Sequence, residues 1–206
     1  AGMPAPLHRL LANIEVSADR MAIMVDDLLE LARLQAGRVR LRLECHDLRK
    51  VVSRSADAVE PLAAARHQRL EVDLPTDPCP ARVDSHRLER ALTNLLSNAH
   101  KYGRSGGVIR LSLQRRDGEA LFSVADDGPG IPRPEQARIF DRFYRGDGRA
   151  DRESGGIGLG LPIARVMAEL HGGRMWVESQ PGTGTTFWMS IPLQPPEGET
   201  SESPHR

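Results

Sequence analysis

Residues 87–102 read Arg87-Leu88-Glu89-Arg90-Ala91-Leu92-Thr93-Asn94-Leu95-Leu96-Ser97-Asn98-Ala99-His100-Lys101-Tyr102, and this stretch decides how the chain folds. Leu88, Leu92, Leu95, Leu96 and Ala99 recur at helical spacing and line one face of an α-helix. Asp84 precedes the run, where its carboxylate can cap the first free amide protons. The elements around this helix then set the fold class.

Upstream, Arg69 to Leu74 reads as a strand, the prolines at 75, 78 and 80 mark a loop, and Ala81 to Val83 is a second strand. Downstream, Val108–Arg115 and Glu119–Ala125 are strands joined by Asp117-Gly118, a hairpin turn signal. Residues 126–160 are rich in Gly, Pro, Asp and Arg, with two short helical pieces; a loop this long is functional or counts against the assignment. Leu159–Leu170 is a helix, and Arg174–Ser179 and Thr185–Leu193 are strands. Helices and antiparallel strands mix without a βαβ rhythm. The expected fold is therefore α+β, a two-layer α/β sandwich with one helical layer over a mixed sheet.

Nearer the N-terminus, Asp47 caps a helix running to about Gln68, with Leu48, Val51, Val52, Ser55, Ala58 and Val59 inward and a kink or restart at Pro61. Val39, Leu41 and Leu43 alternate with arginines and then Glu44, which reads as a short strand. Before them, Leu7 to Gln35 reads as one long helix, closed by Gly37. Leu7, Ile14, Met21 and Leu28 recur every seven residues, in step with Leu11, Ala18, Val25 and Ala32. This predicts a strand of a helical bundle. The expected division is a helix over 1–37, a domain over 38–193 and a polar, disordered tail over 194–206.

Formal net charge is +0, so no bulk field points to nucleic acid or a membrane surface. Cys45 and Cys79 lack a CxxC partner and read as free thiols of a reducing compartment. No apolar run is long enough to span a bilayer, and the N-terminus has no signal-peptide pattern. The abrupt start predicts a fragment of something longer.

Four blocks carry chemistry. On the helix, Asn94 and Asn98 project from one face, and Lys101 can share it. Two amide oxygens and an ammonium suit a polyphosphate and its magnesium ion, which takes hard oxygen ligands. Alone, such asparagines are more often a solvated face. Asp126-Asp127-Gly128-Pro129-Gly130-Ile131-Pro132 follows a strand, so a carboxylate at the strand end can accept from an amino group such as that of adenine. Its glycines let backbone approach a flat base; alone it could be an ordinary turn. Gly155-Gly156-Ile157-Gly158-Leu159-Gly160-Leu161 opens a helix, and its exposed amides favour phosphate. No strand leads into it and no Lys-Ser/Thr ends it, so it is neither a Rossmann nor a Walker loop. Ile139-Phe140-Asp141-Arg142-Phe143-Tyr144-Arg145 holds three aromatics. With Phe122 they form either a cluster pinning a lid or a plain core cluster.

In this order and spacing the blocks resemble the catalytic and ATP-binding domain of sensor histidine kinases. Asn94–Tyr102 resembles the N box, Asp126–Gly130 the G1 box, Ile139–Arg145 the F box and Gly156–Leu161 the G2 box. Gly182-Thr183-Gly184-Thr185-Thr186-Phe187 resembles the last glycine motif. Val25–Leu34 also resembles the second helix of the family's dimerisation and histidine-phosphotransfer hairpin.

The resemblance implies a histidine-kinase ATPase-like fold and roles for residues. Asn98 would ligate Mg2+ and Asn94 assist near the phosphates; Lys101 and Tyr102 would line the phosphate side. Asp126 would hold the adenine amino group, with Gly128, Gly130 and Ile131 beside the base. Arg142 and Arg145 would approach phosphates as the lid closes. Gly156, Ile157, Gly158, Leu159, Gly160 and Leu161 would wrap the triphosphate, and Thr186 would complete the site. The partners implied are ATP, a response regulator receiver domain and a second copy of the chain through the N-terminal helix. The fragment would be cytoplasmic, with family members usually anchored by upstream segments.

Two features depart from the pattern. The family's phosphoacceptor block is absent, since His8 is followed by Arg9-Leu10-Leu11-Ala12; the accepting histidine is expected elsewhere. Ile157 replaces a commoner Thr or Ser. Related ATPases carry a glutamate base one turn before the metal-binding Asn, where this chain has Asn94, which favours a kinase over hydrolysis. Two alternatives stay open: a nucleotide-binding module without transfer activity, or a related ATPase or anti-sigma-type serine kinase.

Overall fold

The computed structural model describes residues 14, 18, 21–22, 24–33, 40–146 and 157–193. The chain divides into two compact units, Ala1–Val39 and Arg40–Arg206. In the first, every described residue up to 33 is helical. Ile14, Met21, Val25 and Leu28 are each at least 45% exposed, so the apolar heptad stripe meets solvent. The readings at Leu7, Gln35, Gly37 and Val39 lie outside the described residues, as do His8, Gly155, Gly156 and the tail.

The second unit holds β1 (Glu44–Asp47), α1 (Leu48–Ala65), β2 (Arg69–Asp73), β3 (Pro80–Val83), α2 (Ser85–Tyr102), β4 (Val108–Arg116) and β5 (Glu119–Asp126). Then come α3 (Arg133–Gln136), a single 3-10 turn (Arg138–Phe140), α4 (Gly160–Leu170), β6 (Arg174–Gln180) and β7 (Gly184–Pro192). Five strands form one mixed sheet in the order β2-β4-β5-β7-β6, parallel only at β2–β4. Helices α1, α2 and α4 pack together and onto this sheet. The expected two-layer α/β sandwich is what the chain adopts.

The core lies between the layers. Leu88, Leu92, Leu95 and Leu96 of α2 meet Ile109, Leu111, Phe122, Ile163 and Met167 with essentially no exposure. Burying each such side chain contributes roughly 1.5–3 kcal/mol. Asp117 (φ 53) and Gly118 (φ 78) are both left-handed, as a two-residue hairpin turn between right-twisted strands requires.

Four expectations are corrected. Residues 40–43 form no strand, because β1 pairs from Glu44↔Val83 to Asp47↔Pro80 and β3 is too short to reach further. Arg42 instead donates its N–H to Asp84 Oδ2 at 3.1 Å. Pairing with β1 also makes β3 part of a separate two-stranded sheet. Helix α1 runs through Pro61 without a restart and ends at Ala65, short of Gln68. On its inner face Ala56 is buried, whereas Ala58 is exposed. Phe122 lies in the middle of the sheet core, away from the aromatics of 140–144.

Candidate functional site

Asp126 is the last residue of β5, and the local geometry aims it. Its Oδ1 accepts from the Gly128 N–H at 2.9 Å, and it also accepts from the Thr185 N–H. Burial pushes its carboxyl up from the ordinary 3.8 to about 6; the Gly128 amide pulls it down, the neighbouring Asp127 charge raises it, and the Thr185 amide lowers it. A strand-end carboxylate held this way is short of donors and suits an incoming amino group.

The glycines beside it are sterically required. A Cβ on Gly128 would sit 2.5 Å from the Tyr102 carbonyl oxygen and 2.7 Å from Asp126 Oδ1. Gly130 is left-handed (φ +74), and a Cβ there would run into the Gln180 backbone. Ile131 is held by its N–H to Ser179 Oγ at 2.8 Å, and Gln136 donates to the Ile131 carbonyl at 2.9 Å. So the 126–131 loop rests on the β6–β7 turn on one side and on the end of α2 on the other.

At the far end of the site, Asn94 donates Nδ2 to the Gly160 carbonyl at 3.1 Å, tying the polar face of α2 to the first residue of α4. A Cβ on Gly160 would lie 3.6 Å from Asn94 Cγ. Asn98 is half-buried one turn on, with no side-chain hydrogen bond among the described residues. Lys101 is exposed and Tyr102 half-buried. Of the glycine loop, Ile157 and Gly158 are half-buried and Leu159 is buried. Gly158 is left-handed (φ +77), with a Cβ position 2.5 Å from the Tyr144 carbonyl oxygen, and its own carbonyl accepts from Phe143 N–H at 3.1 Å. Arg142 and Arg145 are exposed in the turn that follows the 3-10 segment. Arg138 stacks 4.6 Å from the Tyr144 ring and Arg165 of α4 lies 5.5 Å from the Phe140 ring, so cations hold the aromatics. Phe143 is 56% exposed.

The structure thus gathers Asp126, Gly128, Gly130 and Ile131 at the C-terminal end of α2, and Asn94 with Gly160 two turns back at the middle of the helix. Thr186 falls elsewhere. Cross-strand pairing sets Asp126 opposite Thr185 and Ala125 opposite Thr186, so Thr186 belongs to the other face of the sheet. There it borders a recess of about 420 Å³ with Arg110, Ala125 and Glu178 that reaches Asp126, Ser179 and Thr185 at the sheet end. Thr185 and Ser179 are the residues that sequence reasoning missed; their hydroxyls are 3.0 Å apart. The Gly-Thr-Thr run marked the neighbourhood, but a one-residue ambiguity in a strand is an ambiguity of face.

A second missed contact braces α2. His171, buried at the end of α4, accepts from the Asp84 N–H at 3.1 Å through Nε2, while Nδ1 lies 2.7 Å from the Met167 carbonyl. An accepting Nε2 assigns the proton to Nδ1. Burial pushes the His171 imidazolium down below 6.5, so the ring is neutral.

Residues 83–195 match the family described as histidine kinase-, DNA gyrase B- and HSP90-like ATPase, which is over half of the chain. The chain belongs to this family. It is 36% identical over 202 residues to the sensor-like histidine kinase SenX3 of Mycolicibacterium smegmatis, covering 97% of this chain and 52% of that protein. It is 34% identical over 184 residues to the alginate biosynthesis sensor protein KinB of Pseudomonas aeruginosa, covering 89% of this chain and 30% of that one. Among solved structures, full-length ShkA in complex with AMPPNP superposes with a TM-score of 0.79 at 28% identity, over 94% of this chain and 40% of ShkA. Within the family, the chain is similar to the ATP-binding catalytic portion of sensor histidine kinases. It spans about half or less of these curated relatives. No helix among the described residues is long and apolar enough to cross a membrane.

Proposed function

We propose that this portion holds Mg-ATP along the C-terminal half of α2 and presents its γ-phosphoryl to a histidine on a dimerisation helix. The observation that carries the reading is the Asp126–Gly128–Tyr102 junction, which sets a base-sized, amino-seeking carboxylate directly against the end of the helix that bears Asn94, Asn98 and Lys101. Asp126 accepts from the adenine amino group, and Gly128, Gly130 and Ile131 flank the ring. Asn94, Lys101, Tyr102 and the segment from Ile157 through Gly158, Leu159, Gly160 and Leu161 line the triphosphate, and the role expected of Gly156 lies outside the described residues. Arg142 and Arg145 supply charge from the 141–145 turn.

The donor set fits a magnesium ion: Asn98 offers a hard amide oxygen that no hydrogen bond among the described residues engages. Bound there beside Asn94, such an ion would neutralise phosphate charge during transfer. In that step the bond from Pγ to the β–γ bridging oxygen breaks, a bond from Pγ to a histidine ring nitrogen forms, and ADP leaves. Asn94 is no general base, so water is not activated where related ATPases place a glutamate. The exposed heptad stripe of the N-terminal helix favours pairing with a second copy, and a receiver domain of a response regulator would take the phosphoryl onward. A cytoplasmic site for this portion follows from that relay.

The test supplies labelled ATP and a histidine-bearing helical hairpin of the same protein. An acid-labile, base-stable phosphoprotein is expected. Nucleotide binding without transfer would instead support a binding module, and steady phosphate release would support an ATPase.

A further inference from the structure

We propose that Asp127 is a positioning residue that locks the base end of the nucleotide site to the helix carrying the phosphate end. This rests on the reading of Asp126 and α2 as the two ends of one ATP site. Asp127 Oδ1 accepts from the Arg104 N–H and Oδ2 from the Val108 N–H, both at 3.1 Å. Those two amides open and close the turn that leaves α2 and enters β4. One carboxylate therefore grips both sides of the turn from a position next to Asp126.

Everything that sets the height of α2 converges there. Gly103 ends α2, donating its N–H to the Ala99 carbonyl at 2.8 Å, and its Cβ position is 3.6 Å from Asp126 Cβ. Gly107 has no room for a side chain, because a Cβ there would collide with the Asp127 carboxylate. On the far side the turn is pinned by Gly106 N–H to the Arg66 carbonyl at 3.0 Å and by Gln68 Nε2 to the Arg104 carbonyl at 3.1 Å. A Cβ on Gly184 would lie 3.2 Å from Asp127 Cα, so the last glycine motif also packs on this residue. Both Asp127 carboxylate oxygens are engaged by this turn. Its effect is on the relative position of Asp126 and the Asn94–Lys101 face. A ligand spanning both ends gains from that fixed geometry, and a ligand using one end does not.

An amide cannot replace this carboxylate. In Asp127→Asn one of the two backbone N–H groups faces an NH2 and loses its acceptor. Mg-ATP affinity is expected to fall roughly tenfold, because a ligand spanning both ends must then restore their spacing as it binds. Adenosine, which uses only the base end, should bind within about twofold of wild type by the same logic. Both ligands are titrated into the full chain, Mg-ATP by calorimetry and adenosine by amide NMR shifts. Gly107→Ala, which pushes a methyl against the same carboxylate while leaving Asp127 in place, should give the same split, and a thermal melt of each variant confirms a folded protein. Equal losses for both ligands, or no loss for either, would overturn the inference. Failure of wild-type protein to bind either ligand would overturn the reading of the site instead.

Discussion

Replacing Asp126 by Asn should make the nucleotide-free protein more stable while removing its ATP binding. The carboxyl is raised from 3.8 to about 6, because folding buries it more than its two amide donors compensate. A difference of about two units is worth up to roughly 3 kcal/mol at about 1.4 kcal/mol per unit. Asp126 keeps part of its surface in water, so screening trims this to ~1–2 kcal/mol. The folded carboxyl binds its proton more tightly than the unfolded one. The wild type therefore carries this strain in full above about pH 6, and relief grows as pH falls from 6 towards 3.8. Asn is neutral throughout and keeps an acceptor for the Gly128 and Thr185 amides. At pH 8 the variant should melt roughly 2–8 °C higher, taking about 2–4 °C per kcal/mol for a domain of this size. Near pH 4 most of that gap should close. The assay is a pair of nucleotide-free thermal melts at each pH, with ATP titrated at pH 8. A variant that melts lower at pH 8, or a gap independent of pH, would refute burial as the source of the strain. Normal ATP binding would refute the role of the carboxylate.

Other substitutions probe the remaining parts. Asn98→Ala should bind ATP with nearly equal affinity in magnesium and in chelator, whereas wild type should prefer magnesium clearly; calorimetry in both buffers decides it. His171→Ala should cost about 1–3 kcal/mol at pH 8 by unpairing the Asp84 amide and removing the ring contact to the Met167 carbonyl. The imidazolium lies below 6.5, so this contribution is present above that pH and fades as the ring is forced to charge. Denaturant melts at pH 8 and pH 5 should show the difference from wild type shrinking. Gly130→Ala must place an L-residue at φ +74 against the Gln180 carbonyl. Strain of about 1–3 kcal/mol should loosen the 126–131 loop, read as weaker ATP binding and faster amide exchange at Ile131.

Much of this site was legible because it rests on local rules. The period of Leu88, Leu92, Leu95 and Leu96 placed Asn94 and Asn98 on one polar face without knowledge of any neighbour. Asp117-Gly118 announced a hairpin, since few residue pairs accept two left-handed positions in succession. Asp84 and Asp47 announced helix starts, and both cap as expected. Errors arose where a segment's state depends on a distant partner. Residues 40–43 alternate like a strand, yet β3 offers them nothing to pair with. Phe122 is near the F-box aromatics only in composition, because cross-strand pairing carries it opposite Met189.

By itself, then, the sequence determined the elements that local spacing dictates: the amphipathic α2, the caps, the glycine turns and the order of four blocks that define the family. Tertiary structure alone decided which threonine stands beside Asp126, because strand register converts one residue of offset into the opposite face of the sheet. It also decided that Asp127 grips Arg104 and Val108 and that His171 braces Asp84, contacts across 19 to 87 residues of chain. No periodicity announces such pairs. They exist because packing α1, α2 and α4 on the sheet brings amides that no helix or ladder satisfies up against side chains distant in sequence.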